Sequence, residues 1–176
     1  MTELKVSAEP ESLDVRTERE IDAPRDLVFR AYKEPELLAQ WLGPRRYQME
    51  IDTYDFRDGG RWRYIHKDDQ GNTFGFHGVF HGEPSFDGIV QTFEFEGAPG
   101  HVTLDTATLE EVGGRTNFVA SSVFQSVEDR DAMVSSGMES GARETYERLA
   151  EVIEGLRVRA RPLLRSVPTA ARALRE

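Results

Sequence analysis

Residues 127–156 read VEDRDAMVSSGMESGARETYERLAEVIEGL, and the spacing of their apolar side chains decides the fold. Met138, Ala142, Tyr146, Leu149, Ile153 and Leu156 follow one another at steps of four, four, three, four and three. In a helix of 3.6 residues per turn these positions form one stripe. Glu128, Asp129 and Asp131 stand near its start, where the helix dipole is positive. The pattern predicts one long helix over 127–156 with a single face to bury. Gly137 and Gly141 remove bulk near its beginning. A glycine inside a helix costs about 1 kcal/mol relative to alanine, so the pair points to close packing on a strand or to room for a ligand.

Upstream lies the partner for that face. Strands are expected over 46–57, 60–67, 73–83, 88–96, 101–111 and 114–125, separated by turn signals such as Asp58-Gly59-Gly60, Asp68-Asp69-Gln70-Gly71-Asn72 and Gly113-Gly114. Connections this short join neighbours as antiparallel hairpins, because a parallel pair needs a crossover of roughly a dozen residues. Further upstream, Leu13, Val15, Thr17, Arg19 and Ile21 alternate with charged residues as a half-exposed strand does. Pro24 then opens one short helix carrying Leu27, Val28 and Ala31, and Glu34-Pro35 opens a second carrying Leu37, Leu38 and Trp41.

The order is β-α-α-β6-α. It predicts an α+β fold in which a curved, antiparallel, seven-stranded sheet wraps the long C-terminal helix, with the two short helices closing one end. Residues 1–12, polar and broken by Pro10, are expected to be a disordered N-terminal arm. Residues 13–156 form the domain, and 157–176 an Arg-rich C-terminal tail.

A bent sheet around one helix is expected to leave an interior hollow, and the strand patterns say what lines it. Trp62, Tyr64 and His66 share a face; so do Phe74, Phe76, Gly78 and Phe80; so do Ile89, Gln91, Phe93 and Phe95. Gly78 interrupts the aromatic row and removes bulk from its middle.

Several function classes drop out. The net charge is −10, yet residues 157–176 alone carry +5, so the body is strongly acidic and repels a phosphate backbone; no nucleic-acid partner is expected. There is no cysteine, hence no thiolate metal site or cysteine nucleophile. No run is apolar enough for membrane insertion and no leader pattern is seen, so the expected location is cytoplasmic. His77 and His81 are four residues apart on a strand, about 13 Å, too far to share one ion. Ser136-Gly137-Met138-Glu139-Ser140-Gly141 looks like a nucleophile elbow but sits within helical periodicity rather than at a strand-to-helix turn. Hence no metal, no cofactor and no catalytic residue are assigned. His66 and Asp105 are the groups that could handle protons if they face the interior, where Gln91 is the other expected polar side chain. Asp105 is ambiguous, since Val102 and Leu104 imply one register and Ala107 and Leu109 the other; a bulge would reconcile them.

The chain resembles the AHSA1-like family (activator of Hsp90 ATPase homologue 1-like) within the SRPBCC, START-like or Bet v 1-like helix-grip superfamily. The resemblance rests on Glu20-Ile21-Asp22-Ala23-Pro24 with Val28-Phe29, Glu34-Pro35-Glu36 with Trp41-Leu42-Gly43-Pro44, His77-Gly78-Val79-Phe80, Thr92-Phe93-Glu94-Phe95-Glu96-Gly97, Pro99-Gly100-His101-Val102, Phe124 with Ser126, and Ser136-Gly137-Met138-Glu139-Ser140-Gly141. It spans about 14–156 and implies a helix-grip fold with a pocket lined by Trp41, Trp62, Phe76, Phe93, Phe95 and Met138; the strand pattern adds Tyr64, His66 and Gln91. The expected function is binding of a small hydrophobic or amphipathic ligand in an internal cavity. The alternatives are a polyketide cyclase/dehydratase-like enzyme and a co-chaperone-like protein-interaction module, in which the Arg-rich tail contacts an acidic partner. A homodimer is compatible with all three.

Overall fold

The two glycines at 113–114 adopt φ of +60° and +79°, the left-handed pair that a two-residue hairpin turn requires and that side chains other than glycine resist. They join β7 (Val102–Val112) to β8 (Arg115–Val123), whose pairing begins at Val112↔Arg115. The same logic of short antiparallel connections builds the rest of the computed structural model, which describes residues 3–160. The remaining strands are β1 (Lys5–Ser7), β2 (Asp14–Ile21), β3 (Gln48–Tyr54), β4 (Arg61–Lys67), β5 (Thr73–Val79) and β6 (Ile89–Phe95). The helices are α1 (Arg25–Lys33), α2 (Pro35–Trp41), α3 (Val127–Ser135) and α4 (Met138–Ala160). The fold is α+β: a curved, open, antiparallel sheet in the order β1-β2-β8-β7-β6-β5-β4-β3, gripping the C-terminal helix.

Four expectations are corrected. The sheet has eight strands rather than seven. The eighth comes from within the segment expected to be a disordered arm: Lys5, Val6 and Ser7 pair with Glu18, Thr17 and Arg16. Leu4 is buried, and the buried Arg130 guanidinium donates to the carbonyls of Glu9 and Ser12. A strand of three residues, Lys5-Val6-Ser7, is too short to carry a periodic signal; Arg130 of α3 clamps the segment that follows it.

Next, the long helix is two helices. Gly137 has φ of +85°, which no continuing helix accommodates. Its glycine serves this reversal, not a helical notch. Gly141 is not forced by close packing either, since a Cβ there would make only an ordinary contact, 3.4 Å from Pro44 Cγ. Helix α4 also runs on to Ala160, so Arg157 and Arg159 of the expected tail are helical; residues 161–176 lie outside the described residues.

Gly78 opens no ligand space either. A Cβ there would sit 1.8 Å from the Thr92 carbonyl oxygen and 2.7 Å from the Trp62 ring, so the glycine allows close approach of strand and indole. Finally, β7 needs no bulge: it pairs in unbroken register with β6 and β8. Leu109 is buried while Leu104 is 45% exposed, paired outward with Val123, itself 40% exposed. Thr103, Asp105 and Ala107 therefore face inward.

The main core lies where the second half of α4 meets α1 and α2. Leu149 and Ile153 pack with Val28, Ala31, Leu38 and Trp41, over Leu109 and Phe118 of the sheet. A second cluster, Trp62, Tyr64, Phe80 and Ile89, occupies the inner face of β4–β6.

Candidate functional cleft

The registers fix which side chains share the concave face. Tyr64 lies opposite Phe76, and Phe76 opposite Phe95. Phe93 lies opposite Thr103 and Gln91 opposite Asp105, which in turn lies opposite Ser122. The concave face therefore has two characters. Strands β4–β6 present aromatic rings in mutual contact, with centroids 5.0 Å apart for Trp62–Tyr64, 5.4 Å for Tyr64–Phe76 and 5.5 Å for Phe76–Phe93. Strands β2, β7 and β8 present Thr17, Arg19, Thr103, Asp105 and Ser122. An aromatic wall faces a polar one.

The wall is not evenly covered. Phe74, Phe76, Phe93 and Phe95 are only half-buried, and α4 contributes no fully buried residue before Leu149. Helix α3 buries only Arg130, which points at the N-terminal segment. Between α3 and the ends of β6–β8 an open, apolar cleft of about 510 Å³ remains, lined by Phe93, Phe95, Val102, Phe124 and Met133. At its mouth His101 Nδ1 lies 2.9 Å from Asp129 Oδ1, tying the β6–β7 turn to the first turn of α3.

Of the residues expected to line the pocket, Phe93 and Phe95 line this cleft. Tyr64, Phe76 and Trp62 form the ring layer running inward from it, and Gln91 continues the row beside Asp105. Trp41 lies elsewhere: it is buried in the main core, donates its indole N–H to the Ala31 carbonyl at 3.0 Å and meets Tyr32 edge-on. Met138 is the half-buried first residue of α4 and is not among the cleft residues. Sequence reasoning missed Met133, Phe124 and Thr103: Met133 because α3 was read as a continuation of the α4 stripe, which the glycine at 137, read as a break, would have corrected, and Thr103 because the register of β7 was ambiguous.

The titratable groups of the concave face are strongly displaced. Burial pushes the Tyr64 and Tyr146 phenols far up, the nearby Asp105 charge adding to both. Burial, with Arg148 nearby, lowers the His66 imidazole to about 4, leaving it neutral at physiological pH. His66 stacks on Tyr47 at 5.4 Å, and a Cβ at Gly43 would lie only 2.6 Å from its ring. Burial raises the Asp105 carboxyl, against the opposing hydrogen bonds from Ser122 and Thr103. Asp105 is half-buried on the inner face, opposite Gln91 and Ser122. His66, Gln91 and Asp105 thus all lie on the inner face.

A second hollow, of about 410 Å³, lies near Arg19, Ile153 and Glu154. Its charges are spent on one another: Arg115 pairs with Glu20 at 2.5 Å and with Asp22 at 3.4 Å, and Arg157 donates to the Asp22 carbonyl. It offers neither an apolar floor nor an uncompensated group. On the convex face His77 stands between Glu94 and Glu96, at 3.1 and 3.3 Å. Among the described residues no helix is long and apolar enough to cross a membrane.

The family model described as Activator of Hsp90 ATPase homolog 1-like protein matches residues 22–154. No curated protein matches the chain. Among solved structures it is similar to a protein from Arthrobacter aurescens determined in solution, with 28% identity and a TM-score of 0.79 over 86% of this chain and 91% of that one. It is similar in fold to a crystallised protein from Rhodobacter sphaeroides, at 23% identity and a TM-score of 0.80 over 87% and 99% of the two chains. The same holds for protein Ms6760 from Mycobacterium smegmatis, at 19% identity and a TM-score of 0.73 over 88% and 96%.

Proposed function

The chain belongs to the Activator of Hsp90 ATPase homolog 1-like family, and from that premise we propose that it reversibly binds a small amphipathic molecule in the cleft between α3 and the ends of β6–β8. One observation carries the reading: a row of half-buried phenylalanines opens into an apolar cleft of about 510 Å³. Ligand sites commonly measure roughly 300–1,000 Å³ and combine apolar walls with a few polar groups that set orientation. The aromatic wall supplies the apolar contact, and the polar strip of β7 and β8 supplies the orientation. Burying roughly 200 Å² of ligand surface at about 25 cal/mol per Å² contributes about 5 kcal/mol, less the cost of losing translational freedom. The affinity expected for a simple probe is therefore no tighter than about 0.2 mM.

The test is a fluorescence titration with N-phenyl-1-naphthylamine, an uncharged dye that brightens in apolar sites. Saturable binding is expected, lost in Met133→Arg, which places a charge against the cleft without touching the main core. Linear, unsaturable fluorescence, or equal binding by Met133→Arg, would overturn the reading.

A further inference from the structure

One inward-facing position along β7 from the cleft residue Thr103 stands a carboxylate, Asp105, that has no cation. Asp105 accepts from the Thr103 hydroxyl at 2.9 Å and from the Ser122 side chain, both neutral donors. Among the described residues it forms no ion pair, whereas the guanidiniums of Arg45, Arg63 and Arg115 each pair with an acid. The titratable groups around it are Tyr64 from β4 and Tyr146 from α4. Arg19, on β2, is set toward Glu147 and Tyr146, and His66 lies one inward position beyond Tyr64 and is neutral. None supplies a positive charge to the carboxyl. Burial accordingly penalises its ionised form.

Thr103 links this acid to the cleft: it is a cleft residue and the donor to Asp105. Directly across the strand pair stand Phe93 and Gln91, and behind Phe93 the Trp62 ring at 5.8 Å, itself stacked on Tyr64. An uncompensated carboxylate beside a bank of aromatic faces is the combination that recognises an ammonium group, through charge-assisted hydrogen bonding and cation–π attraction. A neutral hydroxyl would gain one hydrogen bond there and leave the charge uncompensated. A carboxylate would meet like charge. The net charge of −10 also draws cations toward the protein.

We propose, building on the cleft as a binding site, that its ligand class is the arylalkyl or alkyl amine: the apolar body lies along Phe93 and Phe95, and the ammonium nitrogen is held by Asp105. The experiment compares three probes with one carbon skeleton, 2-phenylethylammonium, 2-phenylethanol and phenylacetate, by isothermal titration at neutral pH on the full chain, alongside the naphthylamine dye. A charge-assisted hydrogen bond contributes about 1.5–3 kcal/mol, so the ammonium is expected to bind at least about tenfold more tightly than the alcohol, with phenylacetate weakest. In Asp105→Asn, shown folded by circular dichroism, the ammonium preference is expected to collapse to about equality with the alcohol. Equal affinities for ammonium and alcohol in the wild-type protein, with the dye still bound, would overturn the amine assignment alone. An ammonium preference that persists in Asp105→Asn would overturn the role of Asp105. Failure of all three probes and of the dye would overturn the cleft as a binding site, and this inference with it.

Discussion

The two halves of the helical layer treat the sheet differently. In its second half α4 buries Leu149 and Ile153 completely, against α1, α2 and the Leu109–Phe118 pair of the sheet. In its first half, and in α3 before it, no apolar residue is fully buried, although the sheet below is the more aromatic part. Sealing depends on who fills the gap. At the sealed end two extra helices add a layer, and Trp41 spends its indole N–H on the Ala31 carbonyl. At the open end the chain turns at Gly137, α3 buries no apolar side chain, and Phe93 and Phe95 keep open surface. Apolar area is thus used for stability at one end and left for a guest at the other.

The sharpest way to break this comparison is a pair of truncations. Leu149→Ala is expected to cost about 3 kcal/mol, as large-to-alanine changes in a filled core do. Phe93→Ala is expected to cost clearly less, because its ring is half-exposed already, but to abolish dye binding. Urea unfolding and the dye titration read the two effects; equal destabilisation would erase the distinction between the ends.

Acid titration probes the boundary between them, where His66 sits against Tyr47, Tyr64 and Arg148. The unfolded chain takes up this proton near the ordinary histidine value of 6.5, while the folded chain resists it down to about 4. The contribution to stability is therefore complete above the higher value and lost as pH falls between the two, amounting to roughly 3 kcal/mol when fully developed. In His66→Gln that segment of the stability–pH curve should flatten; an unchanged curve would mean the imidazole is not desolvated.

Gly137→Ala is next in size. Alanine at φ of +85° is expected to cost about 1 kcal/mol, and a straightened α3–α4 junction would alter dye affinity while leaving the Leu149 end untouched. The smallest change should be a gain. The folded pKa of Asp105 is raised, so the folded chain binds the proton more tightly, and stability falls as pH rises from the ordinary carboxylate value through the raised one. Asp105→Asn should therefore be more stable than wild type at neutral pH, the difference fading in acid. Thermal melts across pH check the sign.

The architecture was legible where local chemistry and long-range packing agree. Gly113-Gly114 announces its hairpin, and the Leu149–Ile153–Leu156 spacing announces a helix face. The aromatic alternation at 62–66 and 89–95 correctly named the inner wall. What escaped was decided by tertiary contact. Residues 5–7 form a strand because Arg130 clamps the segment behind them. The inward direction of Asp105 was obscured because Leu104 and Val123 pair on the outside, where apolar residues break the alternation that register reading relies on. Met133 was hidden by a periodicity that runs across Gly137 as if the helix did.

The most direct test of the open-end account is an isotope-filtered nuclear Overhauser measurement on labelled protein saturated with unlabelled N-phenyl-1-naphthylamine. Contacts from the dye to the Met133 methyl and to the rings of Phe93, Phe95 and Phe124 are predicted. Contacts confined to Leu149 and Ile153, or to residues of the convex face, would contradict it.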